Sequence, residues 1–137
     1  MTAEYQATPL YAWLVGRHPK IGTLVIAGIS GLLLGAGVVA ANEQVWWINV
    51  IVFALAFDLV AGFVSNLSHS TRTFWSSRSS LLRINYVLAH LTVYPLAIRE
   101  LVSSNVLVGF LAAVLAAKVI AFIIGGLRNL RKPEPKV

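Results

Sequence analysis

The sequence contains no cysteine and few charged residues, and each shortage excludes a class of protein. Without cysteine there are no disulfides, zinc–thiolate sites, iron–sulfur clusters or cysteine nucleophiles. Charged residues make up 12% of the 137 positions, against roughly 25% in an ordinary soluble domain. Hydrophobic residues make up 58%, and the mean hydropathy is +0.78. These values exclude a soluble globular domain and a disordered chain, and they predict an integral membrane protein.

Four long apolar runs predict four membrane-spanning helices. A span needs about 20 mostly apolar residues, because the hydrocarbon core is roughly 30 Å thick and a helix rises 1.5 Å per residue. The predicted spans cover residues 21–41, 45–65, 81–98 and 103–125. We therefore expect an all-α fold, with a four-helix membrane bundle over residues 21–127. An N-terminal segment of residues 1–20 precedes it, and a mobile basic tail of residues 128–137 follows it.

The lysine and arginine residues predict the orientation of the bundle. They lie in the N-terminal segment, in the loop between the second and third spans and in the tail, whereas the other two connections contain only Arg99. The positive-inside rule then places both termini in the cytoplasm of a multi-pass cell-membrane protein. We interpret the net charge of +6 as this topology signal and expect no nucleic-acid partner. Thr8 and Pro9 form a helix-start signal, which predicts a short interfacial helix over residues 9–17.

Two glycines of the first span indicate close helix packing. Gly31 and Gly35 form a GxxxG pattern, extended by Ala27 one turn earlier. Small residues allow the backbones of membrane helices to approach closely. The pattern leaves two alternatives open, which are packing within the bundle of one chain and a homodimer face.

Three ionisable side chains, Asp58, His90 and Lys118, lie inside predicted spans. A charge at membrane depth costs roughly 2.5–3.5 kcal/mol on insertion scales, so such residues are functional candidates. At 1.5 Å per residue, Asp58 and Lys118 both lie about 5 Å to the cytoplasmic side of the midplane. Tyr86 reaches a similar depth, and His90 lies at the midplane. We predict that Asp58 and Lys118 form an ion pair, either as a purely structural contact or as part of a site.

Helical spacing gathers further polar residues on one face of the second span and one face of the third. Asp58, His90 and Tyr86 are the candidate catalytic residues. The candidates for binding a substrate or a lipid headgroup are Asn66, His69, Arg72, Arg83 and Tyr94. Arginine and hydroxyl groups donate hydrogen bonds to phosphate oxygens. We expect one connected pocket open to the cytoplasmic headgroups, lined by Asp58, Asn66, His69, Arg72, Arg83, Tyr86 and His90. We expect no cofactor and no metal, and we expect Phe74 and Trp75 at headgroup level.

The second and third spans carry a distinctive series of residues, namely Asp58, Gly62, Asn66, Ser68, Arg72, Phe74, Trp75, His90, Tyr94 and Pro95. This series resembles a pattern in a group of small bacterial four-helix membrane proteins without an assigned activity. The resemblance covers these two spans and the loop between them. It implies a bacterial membrane protein, which would lie in the cytoplasmic membrane.

Three functions fit these patterns. The preferred hypothesis is a membrane enzyme that performs acid–base chemistry on a lipid-soluble substrate, since titratable groups in a low-dielectric pocket suit that role. The second is a small oligomeric transporter or proton-coupled channel, in which Asp58, His90 and Lys118 form a relay. The third is an accessory or assembly subunit of a larger membrane complex. The expected partners are membrane lipids, a lipophilic small molecule, and either further copies of the chain or a larger complex.

Overall fold

The computed structural model describes residues 19–130, with side chains for residues 19–126. In this part of the chain five helices follow one another: α1 (Ile21–Ala41), α2 (Trp46–Asn66), α3 (His69–Ser76), α4 (Ser80–Leu101) and α5 (Asn105–Leu130). Four of them, α1, α2, α4 and α5, are long and apolar enough to cross a membrane. For residues 19–130, the predictions of an all-α fold and of four helices long and apolar enough to span a membrane are therefore confirmed. The helix predicted over residues 9–17 and the tail beyond residue 130 lie outside the described residues.

The spans differ from their predicted bounds mainly at the ends of α4 and α5. Helix α4 continues past Pro95 to Leu101, and α5 runs to Leu130, so that the first three residues of the predicted tail are helical. Proline lacks a backbone N–H and crowds the preceding turn, but it does not end α4. The bundle is therefore longer at both ends than the apolar runs alone indicate.

The loop predicted between the second and third spans contains the short helix α3. Its N-cap is Ser68, whose Oγ accepts a hydrogen bond from the backbone N–H of Thr71 at 3.4 Å. A serine in this position satisfies one of the free N–H groups that begin every helix. The α3 side chains of Phe74 and Trp75 are buried against α4 and α5, next to Tyr86 and Phe122. Helix α3 thus turns its aromatic face into the bundle, and the level of Phe74 and Trp75 relative to the headgroups stays a prediction.

Helix α1 packs along α2, α2 packs along α5, and both α3 and α4 pack against α5. A Cβ at Gly31 would lie 2.6 Å from the ring of Phe57, and one at Gly35 would lie 2.8 Å from the ring of Phe53. Both glycines thus receive aromatic rings of α2. Of the two alternatives, packing within the chain is the one that the structure contains at Gly31 and Gly35.

The end of the bundle opposite α3 is held together by Asn42. Its Nδ2 donates to Oδ1 of Asn49 at 2.9 Å and to the carbonyl oxygen of Leu101 at 3.2 Å. Its Oδ1 accepts from the backbone N–H of Ser103 at 2.8 Å and from the Ser103 hydroxyl at 3.0 Å. One buried amide therefore joins the connection between α1 and α2 to the connection between α4 and α5. The apolar core extends from this end to the level of Asp58 and is formed by Val38, Val52, Ala56, Leu59, Ile98, Val102, Leu111, Leu115 and Val119.

Candidate functional site

The centre of the site is Lys118, a lysine of α5 that is 2% exposed. Its Nζ lies 2.9 Å from Oδ2 of Asp58 on α2 and 2.8 Å from Nε2 of His90 on α4. An ammonium group has three N–H donors and no acceptor, so it donates to both partners. Lys118 thus joins three of the four spans at one depth.

The histidine of this network has no free ring nitrogen. His90 Nδ1 lies 2.7 Å from the backbone carbonyl oxygen of Tyr86, four residues earlier on α4. A carbonyl only accepts, so we assign the proton to Nδ1; Nε2 then accepts from Lys118, and the imidazole is neutral. Because both nitrogens are bonded and the residue is buried, His90 positions Lys118 and has no ring nitrogen left for a substrate.

The carboxylate of Asp58 is the open part of the network. Its Oδ2 accepts from Lys118 Nζ and, at 2.7 Å, from the hydroxyl of Tyr94. None of the hydrogen bonds among residues 19–126 reaches Oδ1, and the Asp58 side chain is 33% exposed. Asp58 is therefore the member of the network that a further molecule can reach.

Aromatic rings lie around the buried ammonium group of Lys118, and their faces replace part of its lost hydration. Tyr86, His90 and Tyr94 follow each other at four-residue spacing on α4, with ring centroids 4.1 and 4.2 Å apart. Lys118 Nζ lies 5.7 Å from the ring centroid of Tyr86 and 5.4 Å from that of Tyr94, within the range of a cation–π interaction. Gly62 of α2 provides the space, because a Cβ there would collide with Cε of Lys118.

A second group of polar side chains lies at the α3 end of the bundle. Asn66, Arg72 and Arg83 line a pocket of about 20 Å³ beside Trp75 and Phe122. The aliphatic part of the Arg72 side chain crosses α5 at a glycine, since a Cβ at position 125 would lie 2.9 Å from Arg72 Cγ. The pocket therefore brings together three of the predicted binding residues from three different helices.

The single connected pocket that the sequence predicts stays a prediction, because the pocket at the α3 end contains only one of the two groups. Asp58 and His90 do not line the pocket between Arg72 and Arg83. The space between the groups is filled by aromatic rings. Tyr86 stacks on Phe122 with centroids 4.2 Å apart, and Trp75 lies 4.5 Å from Tyr86. Asp58 and Asn66 are eight residues apart on α2, which is about 12 Å along the helix axis.

The remaining predicted site residues take other positions. His69 is exposed on α3, and its Nε2 lies 3.3 Å from Oγ1 of Thr73, outside the pocket. The hydroxyl of Tyr94, a predicted binding residue, donates to Asp58. Tyr86, predicted to be catalytic, contributes its ring to the aromatic layer between the two groups, and its backbone carbonyl accepts from His90.

Sequence reasoning missed three contributors to these sites. Phe122 has no polar group that would single it out. The sequence also does not show that Gly62 and Gly125 make space for long cationic side chains. The signal that could have found Gly62 is its position one helical turn from Asp58, on the same face of α2.

In comparisons with protein-family models, with curated proteins and with solved structures, none matches this chain. Within residues 19–130, no three histidine or carboxylate side chains gather where they could hold a metal ion.

Proposed function

We propose that this multi-pass membrane protein performs acid–base chemistry on a lipid-soluble substrate, with Asp58 as the group that takes and returns the proton. The observation that carries the proposal is the asymmetry of the carboxylate. Its Oδ2 is held by Lys118 and Tyr94, while Oδ1 is without a partner among the described residues and a third of the side chain is open. A positioned carboxylate in a water-poor site is a suitable general base.

Each neighbour of Asp58 has a role in this chemistry. Oδ1 takes a proton from a C–H group of the substrate, and the electron pair stays on the substrate. The Lys118 ammonium then loses its counter-charge on Asp58 and stabilises the developing substrate anion, as a preorganised cation does elsewhere. Tyr94 fixes the carboxylate, and His90 fixes Lys118. Return of the proton from Oδ1 to the same or a neighbouring substrate atom restores the ion pair.

A relay across the membrane has less support from the same geometry. A proton pathway needs polar groups or water on both sides of the ionisable layer. Between the ionisable layer and the Asn42 end, the buried side chains of α2 and α5 belong to the apolar core, among them Val52, Ala56 and Leu111. The geometry favours local chemistry over transport, and a role as an accessory subunit is the alternative that purification as part of a larger complex would reveal.

The chemistry can be tested without knowing the substrate. The purified protein is reconstituted with a total lipid extract of its source organism in D₂O, and the lipophilic fraction is analysed by mass spectrometry. A carbon acid that exchanges its proton through Asp58 takes up deuterium. We expect uptake or conversion with the wild type and at least about 100-fold slower reaction with Asp58→Asn, because general base catalysis is worth that factor or more.

The control for this experiment is Thr92→Val. The Thr92 hydroxyl is on an exposed face of α4 and donates only to the carbonyl oxygen of Leu88 in its own helix. We expect this variant to react like the wild type. An extract that the wild type leaves unlabelled and unconverted, or an Asp58→Asn variant that reacts at the wild-type rate, would contradict the proposal.

The orientation belongs to the same proposal, with both termini in the cytoplasm of a bacterial cell. The basic residues of the sequence support it. Because the chain has no cysteine, single cysteines are clean reporters at Glu43 and Ser77, which are exposed in connections at opposite ends of the bundle. Glu43→Cys is expected to react with a membrane-impermeant maleimide in intact cells, and Ser77→Cys only after permeabilisation. The reverse pattern would overturn the orientation.

A further inference from the structure

The α3 end of the bundle carries positive charge that the described carboxylates do not neutralise. Lys20, Arg72, Arg78 and Arg83 lie at this end. The described residues include three carboxylates, of which Asp58 is paired with Lys118 inside the bundle, and Glu43 and Glu100 belong to the opposite end. The ion pair of Asp58 and Lys118 is the only one among the described side chains. An anion from outside this part of the chain would complete the charge balance.

Two of these arginines converge on one pocket. Arg72 of α3 and Arg83 of α4 line it together with Asn66 and Ser76. Arg72 uses its Nε on the carbonyl oxygen of Ser68, which leaves both terminal nitrogens of its guanidinium group without a partner among the described residues. The pocket volume of about 20 Å³ accommodates one oxygen atom of water size. It suits one oxygen of a larger anion that stays mostly outside.

Two apolar grooves begin at this pocket, one on each side of α5. The larger, of about 430 Å³, runs between α2 and α5 and is lined by Phe63, Leu67 and Ile120, with Arg72 at its polar end. The smaller, of about 250 Å³, runs along α4 and is lined by Ile84 and Leu88, with Arg83 at its polar end. Each groove therefore has an apolar lining and one of the two arginines at its end.

We propose that the α3 end binds one two-chain anionic phospholipid, with its phosphate between Arg72 and Arg83 and one acyl chain in each groove beside α5. Guanidinium groups recognise phosphate by paired hydrogen bonds, and basic pockets between membrane helices bind lipid headgroups in this way. The two grooves identify a lipid over a free phosphate. The proposal does not rest on the chemistry proposed at Asp58, because neither Asp58 nor Lys118 lines the pocket or the two grooves.

The test uses native mass spectrometry of the purified protein from mixed micelles with equal amounts of phosphatidylglycerol and phosphatidylcholine. The wild type should retain one phosphatidylglycerol. Arg72→Gln and Arg83→Gln should each weaken that binding by at least about tenfold, since each removes charge-assisted hydrogen bonds. The matched control is Arg99→Gln, an exposed arginine at the opposite end of α4, and it should bind like the wild type. Circular dichroism of each variant establishes that it is folded.

A second comparison tests the two grooves. Ala121 lines the larger groove, so Ala121→Phe should fill it. We expect this variant to bind phosphatidylglycerol at least about tenfold more weakly than the wild type does. Single-chain lysophosphatidylglycerol should bind to the variant and to the wild type with the same affinity. Glycerol phosphate should not compete at equal concentration. Equal retention of phosphatidylcholine, equal losses in Arg72→Gln and Arg99→Gln, or full competition by glycerol phosphate would each overturn the proposal.

Discussion

Removing one partner of the buried ion pair is the sharpest test of how the bundle is held together. In Asp58→Leu the ammonium of Lys118, which is 2% exposed, keeps only His90 Nε2 and the aromatic faces. An uncompensated buried charge costs about 3–5 kcal/mol of unfolding free energy. In Lys118→Met the carboxylate keeps the Tyr94 hydroxyl and is 33% exposed. What is lost there is mainly the donor to His90, so we expect a smaller cost of about 1–3 kcal/mol.

The assay is reversible unfolding in mixed micelles with increasing dodecyl sulfate, followed by circular dichroism and by tryptophan fluorescence. The double variant Asp58→Leu/Lys118→Met removes both charges and keeps apolar side chains of similar length in place. Replacing a buried pair by apolar residues is often neutral, so the double variant should regain at least about 1 kcal/mol relative to the sum of the single losses. Losses that add up without this recovery would show that the two side chains do not stabilise each other.

Three further substitutions test the packing in the same unfolding assay. Gly31→Ala should cost about 1–3 kcal/mol, because its Cβ meets an aromatic ring of α2, whereas Gly28→Ala on the same helix has open space and should change stability by less than about 0.5 kcal/mol. Asn42→Ala should cost about 1–3 kcal/mol by breaking four hydrogen bonds; the control Gln44→Ala leaves the hydrogen bonds of its backbone in place. Gly62→Ala should displace the buried lysine and cost about 1–3 kcal/mol. A stability equal to that of the wild type would contradict the packing at the position concerned.

The depth of the ionisable groups is predictable because a straight helix in a membrane has a fixed frame. The rise of 1.5 Å per residue converts a position in the sequence into a height, and this alone brings Asp58 and Lys118 to one level. The structure places them in contact at 2.9 Å. The same reasoning works for the spans themselves, since a run of about 20 apolar residues has one physical use in a bilayer.

The aromatic layer between the Lys118 network and the α3 end cannot be predicted from helix rise alone. It depends on rotation about each helix axis and on side chains that meet from three elements, Trp75 of α3, Tyr86 of α4 and Phe122 of α5. No spacing rule relates these positions. The serine, threonine and arginine residues of α3 have the composition of a loop, whereas the Ser68 N-cap and the burial of its aromatic face stabilise the helix.

The exposed member of the ion pair is Asp58, the residue that the proposed chemistry requires to be accessible. A pair that only fixes the bundle is most stable when both groups are enclosed and every polar atom is bonded. Here the cation is enclosed, and the carboxylate has an open oxygen. The double variant Asp58→Leu/Lys118→Met separates the two roles, because it removes the chemistry and retains the packing. We expect it to fold and to show no deuterium uptake by the lipid extract; a folded double variant that reacts like the wild type would make the network purely structural.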